Sequence, residues 1–258
     1  MRVLRGKRER PAADRAVTAE LLESAGDGTV GVRVWTPSRQ IAFGRRDARE
    51  PGYPDAKAIA ERSGFTPIER DVGGRAVPYT GATVAFAVAV PRSTDDESGA
   101  GSADSGVGTL GIDERYAWAT RTVRAALTEI DANVEPGEPA ASFCPGDHSI
   151  RVAGGGKLCG IAQRVRADAA LVAGCLVVSR ADASELASIA APVYDALGVP
   201  FDPASVGSVE SAGGPADGQS TVRAVESGFV RALDGSGSTG EPTRNDRCEV
   251  VHVGPEPC

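Results

Sequence analysis

The sequence predicts an α+β fold, in which helices pack on a mixed, largely antiparallel sheet. Three observations carry this. Strand-like runs outnumber helical ones and fall in pairs joined by short turns, as hairpins do. Two runs, TVAFAVAV at residues 83–90 and AALVAGCLVV at 169–178, hold no charge and read as buried strands. Helical periodicity is plain elsewhere, with Tyr116, Ala119, Val123, Leu127 and Ile130 three or four residues apart.

Taken in order, residues 10–25 form an opening helix with an apolar stripe of Ala16, Ala19, Leu21 and Leu22, ended by Gly26-Asp27-Gly28. Residues 30–35 and 40–43 are two strands around Thr36-Pro37-Ser38, and Arg45-Arg46 follow as a solvated turn. A helix over 53–63 stops at Gly64, and a short strand at 66–69 leads into the double glycine Gly73-Gly74, a sharp turn or bulge. Residues 91–111 turn to Ser, Asp, Gly and Thr and read as a flexible loop within one domain. Strands at 149–152 and 158–165 flank the Gly154-Gly155-Gly156 turn. Helices follow at 182–191 and 220–233, with a helical piece at 194–198. The domain is expected to span 1–235, with 236–258 a poorly ordered tail.

Composition narrows the function. With 258 residues, 41% of them hydrophobic, the chain can bury one substantial core. A net charge of −7 argues against nucleic acid as partner. No apolar run approaches the roughly 20 residues that span a bilayer, and no apolar segment follows the basic N-terminus, so no membrane is expected. Five cysteines without a CxxC pair fit reduced thiols in a cytoplasm better than disulfides or a zinc site.

The stretch SFCPGDHSIRVAGGGKLCGIAQRVR, residues 142–166, holds the most chemistry. Of 28 Lys+Arg only Lys7, Lys57 and Lys157 are lysines, and Lys157 follows three glycines. It is either an exposed turn lysine or a point charge aimed at what the turn holds. Cys144, thirteen residues upstream, is either a small buried hydrophobe or a nucleophile whose thiolate a nearby ammonium favours. His148 reads as a polar loop residue or a proton-transfer assistant. Cys159 and Cys175 lie in strand patterns and read as core.

Two blocks, ERDVGGRAVPYTGATVAF (69–86) and GGGKLCGIAQRV (154–165), stand about eighty residues apart. Together they resemble the lipoate–protein ligase and octanoyltransferase family, related in fold to biotin protein ligases. FGRRD at 43–47 adds to the resemblance, which covers roughly residues 10–235. It implies a biotin/lipoate protein ligase catalytic-domain-like fold. It also implies an enzyme that places a lipoyl or octanoyl group on a carrier lysine. The carriers implied are lipoyl domains of 2-oxoacid dehydrogenase subunits or the glycine-cleavage H protein. Lys157 would orient and polarise the acyl carbonyl, and Cys144 would carry the acyl group. Arg70, Gly73, Gly74, Arg75, Ala76, Val77, Tyr79, Gly156, Gly160, Ala162 and Gln163 would bind substrate.

Ligases of the family use free lipoate with ATP and Mg²⁺, whereas octanoyltransferases use a thioester through a cysteine. Three positions depart from the family pattern: Glu69 replaces the first of two arginines, Tyr79 a histidine and Ala82 an asparagine. A glutamate beside a triphosphate is repulsive unless Arg45, Arg46 or Arg75 compensates. Too few residues follow Val209 for the accessory domain many lipoate ligases carry, so a ligase would take it from a separate chain. A biotin ligase-like activity, from KLCGI, and a non-catalytic acyl-binding relative are the alternatives.

Overall fold

Strand β6 (Val84–Pro91) alternates large and small side chains, and that alternation sets where the cavity lies. In the computed structural model, which describes residues 1–70, 74–92, 106–235 and 248–254, Val84, Phe86, Val88 and Val90 enter the main core. Ala87 and Ala89 lie on the opposite face. The neighbours of β6, β2 (Gly31–Trp35) and β10 (Ala169–Leu176), pair with it antiparallel and repeat the pattern. Val32, Val34, Val172 and Leu176 share the large face, while Ala169, Leu171 and Ala173 share the small one.

Helices α3 (Ile112–Thr128) and α5 (Gly218–Leu233) cover the large face through Trp118, Val123, Leu127, Val225 and Phe229. Phe86 and Phe229 meet with ring centroids 5.2 Å apart. Burying each such side chain contributes about 1.5–3 kcal/mol, which makes this the main store of stability. On the small face α1 (Pro11–Gly26) packs Leu21, Leu22 and Ala25 against the alanines. Short side chains do not fill the space beneath the helix, and a cavity remains.

The whole sheet has eight strands in the order β11-β1-β2-β6-β10-β9-β8-β7. Its outer members are β1 (Arg2–Gly6), β7 (Val134–Pro136), β8 (Ser149–Val152), β9 (Lys157–Val165) and β11 (Glu249–Val253). Among the described residues of this sheet, only the β11–β1 and β1–β2 pairs are parallel. A second sheet, in the order β4-β3-β5, holds β3 (Gln40–Phe43), β4 (Thr66–Glu69) and β5 (Val77–Tyr79). Helices α2 (Tyr53–Arg62) and α4 (Arg180–Ala196) close over it around Ile41, Phe43, Val77, Leu186, Val193 and Tyr194. The mixed α+β architecture expected from the strand pairs holds.

Several elements differ from expectation. Strands β1, β5 and β7 are too short or too polar to declare themselves, and tertiary pairing forms them. Residues 249–253, expected within an unstructured tail, form the edge strand β11, because β1 offers them a parallel partner along five residues. The two helical pieces at 182–191 and 194–198 are one helix, α4, which runs through Pro192. Residues 93–105 of the expected loop, and 236–247 and 255–258 of the expected tail, lie outside the described residues. Among those described, no helix is long and apolar enough to cross a membrane.

A buried ion pair ties α1 to the sheet. Arg33 is wholly buried, and its Nη2 donates to Asp14 Oδ1 at 2.5 Å while its guanidinium lies 4.0 Å from the Trp35 ring centroid. Trp35 Nε1 donates to Asp14 Oδ2 at 2.8 Å. Asp14→Ala leaves a guanidinium in the core without its carboxylate. The expected loss in urea denaturation is about 3–5 kcal/mol. An unchanged midpoint would mean that water reaches Arg33.

Candidate active site

Arg70 follows directly after β4, and its Nη2 donates to the Sγ of Cys144 at 3.3 Å and to the Arg75 carbonyl at 2.6 Å. A fixed cation therefore touches the sulfur. Two adjacent residues part here: Glu69 points outward, accepting from the Tyr53 hydroxyl at 2.7 Å, while Arg70 turns inward. Gly74 makes room for the contact. A Cβ there would lie 2.8 Å from Cys144 Sγ and 2.9 Å from Arg70 Nη2, and its φ of +92° is one that glycine adopts without strain.

Cys144 itself stands at φ +41°, unfavourable for a residue with a side chain, and its neighbours hold it there. Its N–H donates to the Tyr194 hydroxyl at 2.6 Å, and that hydroxyl donates to the Ala76 carbonyl at 2.7 Å. Its carbonyl accepts from Lys157 Nζ at 2.8 Å. Burial holds the Tyr194 phenol well above its usual pKa, so its proton stays available for the Ala76 bond.

Lys157 is fully buried at the first position of β9, rather than exposed at the mouth of a hairpin. Its ammonium also meets Glu138 Oε2 at 2.9 Å and lies 5.0 Å from the Phe143 ring centroid. Ser142 Oγ donates to the same Glu138 carboxylate. Lys157 thus clamps the backbone of Cys144. Gly156 explains the burial. A Cβ there would lie 2.6 Å from Gly207 N and from Val206 C, so only glycine lets β9 begin against that backbone.

Cys144 opens onto a cavity of about 760 Å³ under α1, between the two sheets. Arg70, Gly74, Val77, Tyr79, Gly160, Ala162 and Gln163, all expected to bind substrate, line it. Three expected residues do not line it. Arg75 is spent on Glu50 at 2.7 Å and Asp47 at 3.3 Å. Ala76 is buried behind the wall and offers its carbonyl to Tyr194, and Gly156 packs against the backbone of 206–207. Gly73 lies outside the described residues. Arg45 and Arg46 are exposed beyond Gly44.

His148 stacks on Tyr116 with ring centroids 3.6 Å apart, and both line the cavity. Cys175 also lines it, but burial pushes its thiol up to about 11, and burial raises Cys159 well above the ordinary value. Both stay protonated at neutral pH, and Cys144 is the lining cysteine to whose sulfur Arg70 donates. Tyr194 and Tyr116 escaped the sequence because they meet the site from distant segments, and Glu138 because nothing in the loop before Cys144 marks it as the partner of Lys157.

The fold has known counterparts. An octanoyl-[GcvH]:protein N-octanoyltransferase of Geobacillus kaustophilus is 27% identical over 140 residues, 54% of this chain and 44% of that protein. The chain thus spans less than half the length of that relative. Among solved structures, a lipoate-protein ligase A bound with ATP superposes with a TM-score of 0.71 at 17% identity, covering 97% of this chain and 88% of the other. A bi-partite lipoate protein ligase from Thermoplasma acidophilum, analysed with its E2 lipoyl domain, gives 0.64 at 16% identity, covering 97% and 86%. These likenesses bear out the fold expected from the two sequence motifs. The profile of the lipoyl protein ligase A/B catalytic domain matches residues 10–229, and the chain belongs to that family.

Proposed function

We propose that this chain is an octanoyl- or lipoyl-transferase that acylates the lysine of a lipoyl carrier domain through a thioester on Cys144. The contact between Arg70 and Cys144 Sγ at the mouth of the cavity carries the proposal. The guanidinium holds the sulfur at the cavity mouth, where an acyl donor would meet it as a nucleophile. The Cys144 sulfur bonds to the carbonyl carbon of an acyl thioester, the donor's C–S bond breaks, and the donor sulfur leaves with a proton. The carrier lysine amine then bonds to the same carbon, the bond to Cys144 breaks, and the amine's proton returns to the sulfur. Neither step changes oxidation state.

Two neighbours support this choice of substrates. The relatives are named for transfer of an octanoyl group from octanoyl-[GcvH] to a protein, and the archaeal ligase was studied with an E2 lipoyl domain. Gly160, Ala162, Val77 and the small face of β10 supply an apolar slot for the acyl chain. Lys157 contributes by holding the Cys144 backbone, and Glu138 by holding Lys157. The donor decides the assignment. The protein is incubated with a lipoyl domain and either an octanoyl-carrier thioester or free lipoate with ATP and Mg²⁺. Amide formed from the thioester, with octanoyl mass on Cys144 as intermediate, is expected. Transfer from lipoate and ATP alone would overturn the thiol route in favour of ligation. Binding of lipoate without transfer from either donor would mark a non-catalytic relative.

A further inference from the structure

A sulfur that adds to an acyl carbonyl drives negative charge onto the carbonyl oxygen, and a fixed donor aimed at that oxygen supplies a large part of the rate. Two cations near Cys144 are already engaged. Lys157 Nζ is held by Glu138 and the Cys144 carbonyl, and Arg70 Nη2 by the Cys144 sulfur and the Arg75 carbonyl.

The segment from Gly74 to Tyr79 runs beside Cys144. Gly74 abuts the sulfur, and the Tyr194 hydroxyl bridges the Ala76 carbonyl to the Cys144 N–H through bonds of 2.7 and 2.6 Å. Val77 and Tyr79, two residues apart on β5, share one face of the strand, and both line the cavity. Tyr79 and Cys144 are half-buried against the same second core. Burial raises the Tyr79 phenol above its ordinary pKa, so it is a neutral donor at neutral pH. The ionisable groups close enough to act on it are Cys175, Arg70, Cys144 and Arg15, which places the phenol at the sulfur end of the cavity. Its hydroxyl makes no hydrogen bond among the described residues.

We propose that the Tyr79 hydroxyl donates a hydrogen bond to the acyl carbonyl oxygen while the thioester on Cys144 forms and breaks. This rests on the acyl-transfer function proposed above. As the Cys144 sulfur bonds to the carbonyl carbon, an electron pair of the C=O bond moves onto oxygen, where the Tyr79 O–H meets it. The pair returns to the C=O bond when the donor's C–S bond breaks. The same sequence runs when the carrier amine adds and the Cys144 sulfur leaves. The phenol keeps its proton throughout, so it stabilises the oxyanion without adding a proton transfer.

Tyr79→Phe removes the donor and keeps the ring. Because the hydroxyl bonds to nothing in the described fold, the variant should melt at the wild-type temperature. Formation of octanoyl-Cys144 from an octanoyl thioester in a single turnover, followed by mass spectrometry of quenched samples, should slow by about a hundredfold or more, the scale set by loss of one oxyanion donor. Iodoacetamide attacks the same sulfur but builds no charge on a carbonyl oxygen, so its rate at Cys144 should stay within about twofold. Acylation of Tyr79→Phe at the wild-type rate would overturn the proposal and leave the acyl-transfer function standing. Acylation and alkylation slowed by the same factor would also overturn it, because Tyr79 would then only shape the surroundings of the thiol. A wild type that never forms octanoyl-Cys144 would overturn the acyl-transfer function itself, and the donor role with it.

Discussion

Cys144→Ser is expected to form no octanoyl-enzyme and to lose amide transfer by at least about a thousandfold, because a serine hydroxyl is a far weaker nucleophile than a cysteine sulfur. Serine is close in size to cysteine, and the backbone contacts to Tyr194 and Lys157 do not involve the side chain. The melting temperature should therefore move little. Mass spectrometry of the protein after incubation with octanoyl thioester checks the first part, and a lipoyl-domain gel shift the second. Serine protein that still modifies the carrier at the wild-type rate would remove Cys144 from the reaction and return the site to adenylate chemistry.

Lys157→Ala is expected to combine two losses. The substitution unpairs Glu138 and releases the carbonyl of Cys144, which leaves the Tyr194 hydroxyl on its N–H to hold it at φ +41°. Breaking a buried pair costs about 3–5 kcal/mol, and the partial exposure of Glu138 places this one nearer about 2–3 kcal/mol. Transfer should fall by about a hundredfold, on the scale lost when a reacting group is misplaced by an ångström. Lys157→Arg should not rescue it, since the larger planar guanidinium does not fit a point-charge site closed over by Phe143. A second readout separates clamp from direct chemistry. If Lys157 holds Cys144 beside Arg70, the rate of iodoacetamide alkylation at Cys144 should shift severalfold in Lys157→Ala. Unchanged alkylation and stability with full loss of transfer would mean that the ammonium acts on the acyl group itself.

Much of the fold was legible because its signals are local. The uncharged run at 83–90 is β6, residues 40–43 and 149–152 are β3 and β8 with those bounds, and the periodic run from Tyr116 lies in α3. What escaped was decided by partners far along the chain. Strand β11 exists because β1 lies beside it, some 247 residues earlier, and β1 because β2 and β11 flank it. Pro192 reads as a helix end, yet α4 continues through it, packed against α2 over the second core.

The same division runs through the site. By itself the sequence determined the chemical inventory: Cys144 and Lys157 thirteen residues apart, glycines at 74 and 160, and Arg70 after a short strand. Residue type, order and spacing suffice for that. Only the tertiary structure decided which groups touch. It put Arg70, not Lys157, on the sulfur, and turned Lys157 inward to Glu138 and the Cys144 carbonyl. It also paired Gln40 with Tyr79 on the cavity wall. Burial and contact arise when segments far apart in the chain pack together, and no spacing within one segment encodes them.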